Sequence, residues 1–120
     1  SRGLGDVYKR QVIIGCKYYG WHGILNNESK AFIYEDHVLF NKNKTTLIAY
    51  IAKETNYTIP NSVTTIGEGA FSYCKSLTNI NIPNSVTNIE DGAFGECDNI
   101  SSKIKSDIIL RFDEKVFELW

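Results

Sequence analysis

Ile59-Pro60-Asn61-Ser62-Val63-Thr64 returns as Ile82-Pro83-Asn84-Ser85-Val86-Thr87, an offset of 23 residues. Ile66, Gly69, Ala70, Phe71, Cys74 and Leu77 return at the same offset as Ile89, Gly92, Ala93, Phe94, Cys97 and Ile100. Twelve positions matching in order at a fixed period mark a solenoid, in which each coil buries its apolar edge only against its neighbours.

Inside the repeat, Leu77-Thr78-Asn79-Ile80-Asn81-Ile82 ends in the period-2 alternation of a half-buried strand. Pro83 lacks the amide that would continue a ladder, so the strand stops there and Pro83-Asn84 turns the chain. Val86 and Ile89 are expected to point back inward. Gly92 before Ala93-Phe94 predicts a short helical turn that presses the phenyl ring under the sheet. The same reading applies to Pro60, Val63, Ile66, Gly69 and Phe71.

Stacking two such coils sets the outward side chains in rows. Asn56, Asn79 and Ser102 are expected in one row, and Thr58 and Asn81 in another. These rows are polar, uncharged and flat, and they form the candidate interaction face. The bland reading is a solvated sheet face. A companion row, Thr64 with Thr87 and Thr65 with Asn88, is expected on the other edge.

Upstream, Ile24 lies 35 residues before Ile59, which is one period plus about a dozen residues. Residues 12–34 read as a degenerate coil, and residues 35–53 as a hairpin insertion. Val38-Leu39-Phe40 and Thr46-Leu47-Ile48-Ala49-Tyr50 are β-rich runs flanking Asn41-Lys42-Asn43-Lys44, a polar tip whose asparagines tolerate positive φ. Residues 54–100 hold the two clean repeats. Downstream, Lys103 falls where Ile80 stood, and a charge there could not enter a dry core. Ser106-Asp107 offers an N-cap followed by a helical stripe of Ile108, Ile109, Phe112, Val116, Phe117 and Trp120. Residues 101–120 are therefore expected to form a capping helix over the last coil. Residues 12–120 make a single domain. Residues 1–11 (SRGLGDVYKRQ) fit nothing downstream and read as a non-native tail; with no methionine in the chain, a fragment of a longer protein is expected.

Composition removes whole classes of function. With 13 basic and 14 acidic residues and a net charge of −1, the chain lacks the basic footprint of nucleic-acid or anionic-membrane binders. No apolar run approaches the roughly 18 to 20 residues of a spanning helix, so no membrane insertion is expected. Cys74 and Cys97 sit one period apart and read as small apolar core residues. Their spacing does not suit zinc. A disulfide between adjacent coils falls within Cα range, although parallel side chains hold the Cβ atoms apart. Cys16 has no repeat-defined partner, and the redox compartment stays open. His22 and His37 have no serine or cysteine at a catalytic spacing and read as surface residues. The pairs Glu35-Asp36 and Glu90-Asp91 are sequence neighbours whose side chains diverge, so they cannot flank a scissile bond; they read as solvated turn residues. No catalytic residue, cofactor or metal site is expected.

The unit IPNSVTxIxxxAFxxCxxL resembles the BspA-like leucine-rich repeats of 23 residues. Glu35 to Ile48 is similar to the hairpin that interrupts many members, although His37 stands where that hairpin prefers glycine. Ser106 to Phe112 is similar to segments that follow the last repeat. The resemblance implies a mainly β chain with minor α: a short leucine-rich-repeat solenoid with a β-hairpin insertion and a C-terminal capping helix. It also implies a non-enzymatic protein-interaction module, the C-terminal part of a microbial surface or secreted adhesin-like protein. The partner would be an extracellular matrix or host surface protein, and the chain a monomer. An intracellular interaction scaffold of the same fold, or a structural spacer or cap without a ligand, are the other readings.

Overall fold

The structure is a computed structural model that describes residues 32–118. The expected tail, residues 12–31 of the expected degenerate coil, with Cys16 and His22, and the end of the predicted stripe at Trp120 lie outside the described residues. Residues 32–34 of that coil belong instead to a strand paired with the hairpin, so the expected boundary at residue 35 falls inside a strand.

Among the described residues, seven strands and one α-helix follow in chain order. They are β1 (Phe32–Glu35), β2 (Val38–Asn41), β3 (Thr46–Tyr50), β4 (Asn56–Thr58), β5 (Thr65–Ile66), β6 (Asn79–Asn81), β7 (Asn88–Ile89) and α1 (Ser102–Arg111), then a 3-10 helix at Glu114–Phe117. One sheet runs β1-β2-β3-β5-β7; a second, smaller sheet pairs β4 with β6.

The 23-residue period becomes parallel pairing. Thr65 faces Asn88 and Ile66 faces Ile89, while Asn56, Tyr57 and Thr58 face Asn79, Ile80 and Asn81. Each coil thus contributes one short strand to each sheet. The core lies between them, with Ile59, Val63, Ile66, Phe71 and Leu77 all at most 1% exposed.

The arc that closes each coil is a run of tight turns, not a helix. Ala93 donates to Glu90, Gly95 to Gly92 and Cys97 to Phe94, all i to i−3 bonds between backbone groups. Gly69 and Gly92 start this arc with φ of 66° and 73°, where a Cβ would meet the following carbonyl. The arcs also bond to one another. Tyr50 N donates to Ala70 O at 2.8 Å, Phe71 N to Ala93 O at 2.7 Å and Phe94 N to Val116 O at 2.7 Å. Those bonds hold a column of rings. Centroids lie 5.0 Å apart for Tyr50 and Phe71, 4.9 Å for Phe71 and Phe94, and 5.7 Å for Phe94 and Phe117. Ring pairs of this kind contribute about 0.5 to 1.5 kcal/mol beyond their area burial.

The hairpin is continuous with the solenoid. β2 and β3 pair antiparallel around the predicted tip, and β3 pairs parallel with β5, so it serves as the first rung of that ladder. β1 adds a further antiparallel strand. The register shifts between Leu39 and Phe40, where Ala49 and then Leu47 are the partners. This bulge switches the phase of the alternation. Leu47 and Tyr50 thereby join the main core, while Ile48 and Ala49 join Leu39, Phe32 and Ile51 in a second cluster on the opposite face.

The tip corrects one expectation. Its positive φ falls on Lys44, at 58°, and not on the asparagines. Asn41 instead receives the amides of Thr45 and Thr46 on Oδ1, at 2.7 and 2.9 Å, which closes the turn by side chain. The β1-β2 turn does need left-handed backbone, at Asp36 (φ 52°) and His37 (φ 64°), which explains the preference for glycine at His37.

The C-terminal helix starts earlier than the sequence suggested. Ser101, not Ser106, is the N-cap, with Oγ accepting from Ile104 N at 3.3 Å. The reason lies in the ladder: Ser101 N bonds Thr78 O at 3.0 Å, as Thr78 N bonds Thr55 O, and the chain leaves the sheet directly after that bond. Lys103 and Lys105 then occupy the positions of Ile80 and Ile82, and Lys103 pairs with Asp107 one helical turn on. The stripe is also broken. α1 stops at Arg111, and Asp113 caps a separate 3-10 turn by accepting from Lys115 N. That turn returns Val116 and Phe117 to the places that Ala93 and Phe94 hold one coil earlier.

Candidate interaction face

The outward face is built by β4 and β6. Alternation turns Ile80 into the core and half-buries Tyr57, leaving Asn56, Thr58, Asn79 and Asn81 exposed. Parallel register makes Asn56 and Asn79 direct neighbours, and Asn79 Nδ2 donates to Asn56 Oδ1 at 2.9 Å. Thr58 and Asn81 are likewise register partners. Ser102 does not continue the first row: it is exposed at the first residue of α1, beyond the last ladder bond.

The companion row lies where expected. Thr65 pairs with Asn88, and Thr87 N donates to Thr64 O at 2.9 Å. The row extends to Thr45, whose carbonyl takes Thr64 N at 2.8 Å.

Charge sits beside the main face and not on it. Lys75 bridges Asp98 and Glu96, and its hydrogen bond to Asp98 raises its pKa. Lys44 pairs with Glu35 near the hairpin. Behind the face, burial pushes the Tyr57 phenol well above its ordinary value, and Tyr50, Asp36 and Glu35 add to the shift. Tyr57 packs on Tyr50 and Phe71, at 4.9 and 6.1 Å between centroids. The face therefore offers amide and hydroxyl groups on a firm apolar floor, suited to hydrogen-bonded recognition without a long-range field.

Cys74 and Cys97 are buried in the core and are not bonded to each other. Among the described residues no group of three or more His, Cys, Asp or Glu could hold a metal ion. His37, Glu35 and Asp36 are exposed at the hairpin turn. Glu90 is more than a solvated turn residue, because its Oε1 accepts Glu68 N at 3.2 Å across the coils. No helix among the described residues is long and apolar enough to cross a membrane.

Two features beside the face escaped the sequence reading. Arg111 donates to the carbonyls of Ile82, Pro83 and Val86, at 2.9, 3.2 and 3.4 Å. Leu110 is 85% exposed, the one large apolar side chain so placed among the described residues. A helix register starting at Ser101 would have shown that Leu110 lies off the Ile104 and Ile108 stripe.

Comparison with known proteins agrees with this geometry. The model of the BspA type leucine rich repeat region, in 6 copies, matches residues 46–119. A crystal structure of a leucine-rich repeat protein from Eubacterium ventriosum is similar at 41% identity and a TM-score of 0.55, over 58% of this chain and 20% of that one. The pneumococcal vaccine antigen PcpA shares the fold at 23% identity and a TM-score of 0.61, over 64% of this chain and 20% of its own. The chain thus spans about a fifth of the length of either solved relative. No curated protein matches. With the family model covering well over half of its residues, the chain belongs to the BspA-type leucine-rich-repeat family, whose repeats form protein-interaction modules.

Proposed function

We propose that this chain is a non-enzymatic, monomeric interaction module of a microbial surface or secreted adhesin-like repeat protein. Its partner is a protein of the extracellular matrix or host surface, recognised on the β4-β6 face. One observation carries the reading: four exposed, uncharged hydrogen-bonding side chains, Asn56, Thr58, Asn79 and Asn81, stand in register on a two-stranded sheet with a buried floor. Family membership supports the interaction role.

The test is binding of the full chain to immobilised fibronectin and fibrinogen, beside a folded variant carrying Asn79→Glu and Asn81→Arg. Saturable binding by the parent that the variant loses supports the reading. A second reading, a structural cap or spacer without its own ligand, draws on α1 covering the last coil; no binding by either folded chain would favour it.

A further inference from the structure

The last strand of the smaller sheet has an open edge. In the β4-β6 ladder Asn79 N donates to Thr55 O and Asn81 O accepts from Ile59 N, so residues 79 and 81 spend their backbone groups on β4. Parallel pairing then directs the N–H and C=O of Ile80 to the other edge. There the chain is helical, and among the described residues no backbone group bonds to Ile80 from that side. Beyond the strand's end, Arg111 takes the carbonyl of Ile82 by side chain.

Between this edge and α1 runs a groove of about 420 Å³. Half-buried Ile82 and Ile104 give it apolar walls, the nearly wholly buried Ile80 and Ile108 close it toward the core, Leu110 lines it from an exposed position, and Asp107 and Arg111 lie along its helix side. Asn81 belongs both to this groove and to the outward face.

We propose that the groove binds an extended segment of a partner protein, added as a third parallel strand on β6. The unpaired Ile80 groups call for extended backbone, since only a strand presents a donor and an acceptor at the ladder spacing. The aliphatic walls call for an apolar side chain between strand and helix. The Asn56-Asn79 amide pair calls for a polar neighbour able to extend it outward. The fitting segment alternates polar and aliphatic residues, as Asn79-Ile80-Asn81-Ile82 itself does. This assignment rests on the reading of the chain as an interaction module and names the chemistry of its partner.

The probe is a capped peptide of sequence Leu-Thr-Asn-Ile-Asn-Ile, titrated into the full chain and followed by amide NMR and hydrogen exchange. The expected result is saturable binding with slowed exchange of the Ile80 amide, weakened about tenfold when the amide of the Asn that follows the central Ile, which the parallel register sets against the Ile80 carbonyl, is methylated, the value of one lost hydrogen bond. Leu110→Glu, at an exposed site, should weaken binding while leaving the fold intact. Binding that leaves Ile80 exchange unchanged, equal binding of the methylated peptide, or no binding to the folded chain would each overturn the proposal. Loss of peptide binding alongside retained, Asn79-dependent binding to matrix protein would remove the groove and leave the face.

Discussion

Phe117 packs tilted against Phe94 with ring centroids 5.7 Å apart, one full repeat further along the chain. Between them the strand of the coil has been replaced by α1, yet the residue count is kept. The last coil is therefore a repeat whose strand became a helix, and the ring column runs from Tyr50 to Phe117 without a gap.

Deleting Leu110 should break that count. Its side chain is exposed, so Leu110→Ala should change stability by less than about 0.5 kcal/mol. Removing the residue shifts Val116 and Phe117 out of register with Ala93 and Phe94 and should cost about 2 kcal/mol or more, through lost ring packing and inter-coil bonds. Urea melts of the two variants check this; equal midpoints would mean the 3-10 turn does not act as a coil.

Ser101→Ala should destabilise by about 1 kcal/mol, because it removes the acceptor of Ile104 N at the helix start. Ser106→Ala, at an exposed position within the helix, should be neutral or slightly stabilising through the better helix propensity of alanine. Thermal melts that ranked the two the other way would restore the helix start to Ser106.

The repeat itself is plain in the sequence because Ile66, Phe71 and Leu77 recur with their spacing intact. What the sequence hid lies where the count or the alternation slips. Tyr50 plays the part of Phe71, but the bulge at Ile48 and the hairpin alter its spacing, and Leu47-Ile48-Ala49-Tyr50 shows no clean alternation. Ser106-Asp107 looked like a cap by local chemistry, whereas Ser101 is fixed by a bond to Thr78 in another coil, which no local pattern reveals. On the face, Asn56, Thr58, Asn79 and Asn81 follow from period and alternation. Ser102 departs from them because the charges at Lys103 and Lys105 favour a helix there.

His37→Gly should stabilise the fold by about 1 kcal/mol. The residue holds φ of 64° in a turn that needs left-handed backbone at both central positions, a conformation costly to any residue with a Cβ. A denaturation midpoint that fell on this substitution would show that the His37 ring, edge-on to Tyr34 at 6.4 Å, outweighs the backbone strain.

The raised pKa of Tyr57 makes stability fall at alkaline pH. Burial, reinforced by Tyr50, Asp36 and Glu35, makes the folded chain hold this proton more tightly than the unfolded chain does. The associated stability is fully present below about pH 10 and is lost as pH rises beyond it. Burial raises Tyr34 in the same direction. Tyr57→Phe should flatten the decline of stability above pH 10, seen in urea melts along a pH series; an unchanged decline would place the cause elsewhere.

The most direct test of the central claim is equilibrium and kinetic binding of the folded chain to immobilised fibronectin and fibrinogen, with the Asn79→Glu and Asn81→Arg variant alongside, at low and at physiological salt. An uncharged face predicts saturable binding that the variant loses, ordinary association rates of about 10⁵ to 10⁷ M⁻¹s⁻¹, and little change with salt. Equal binding by the parent and the folded variant, or binding that collapses as salt rises, would contradict recognition on the asparagine and threonine rows.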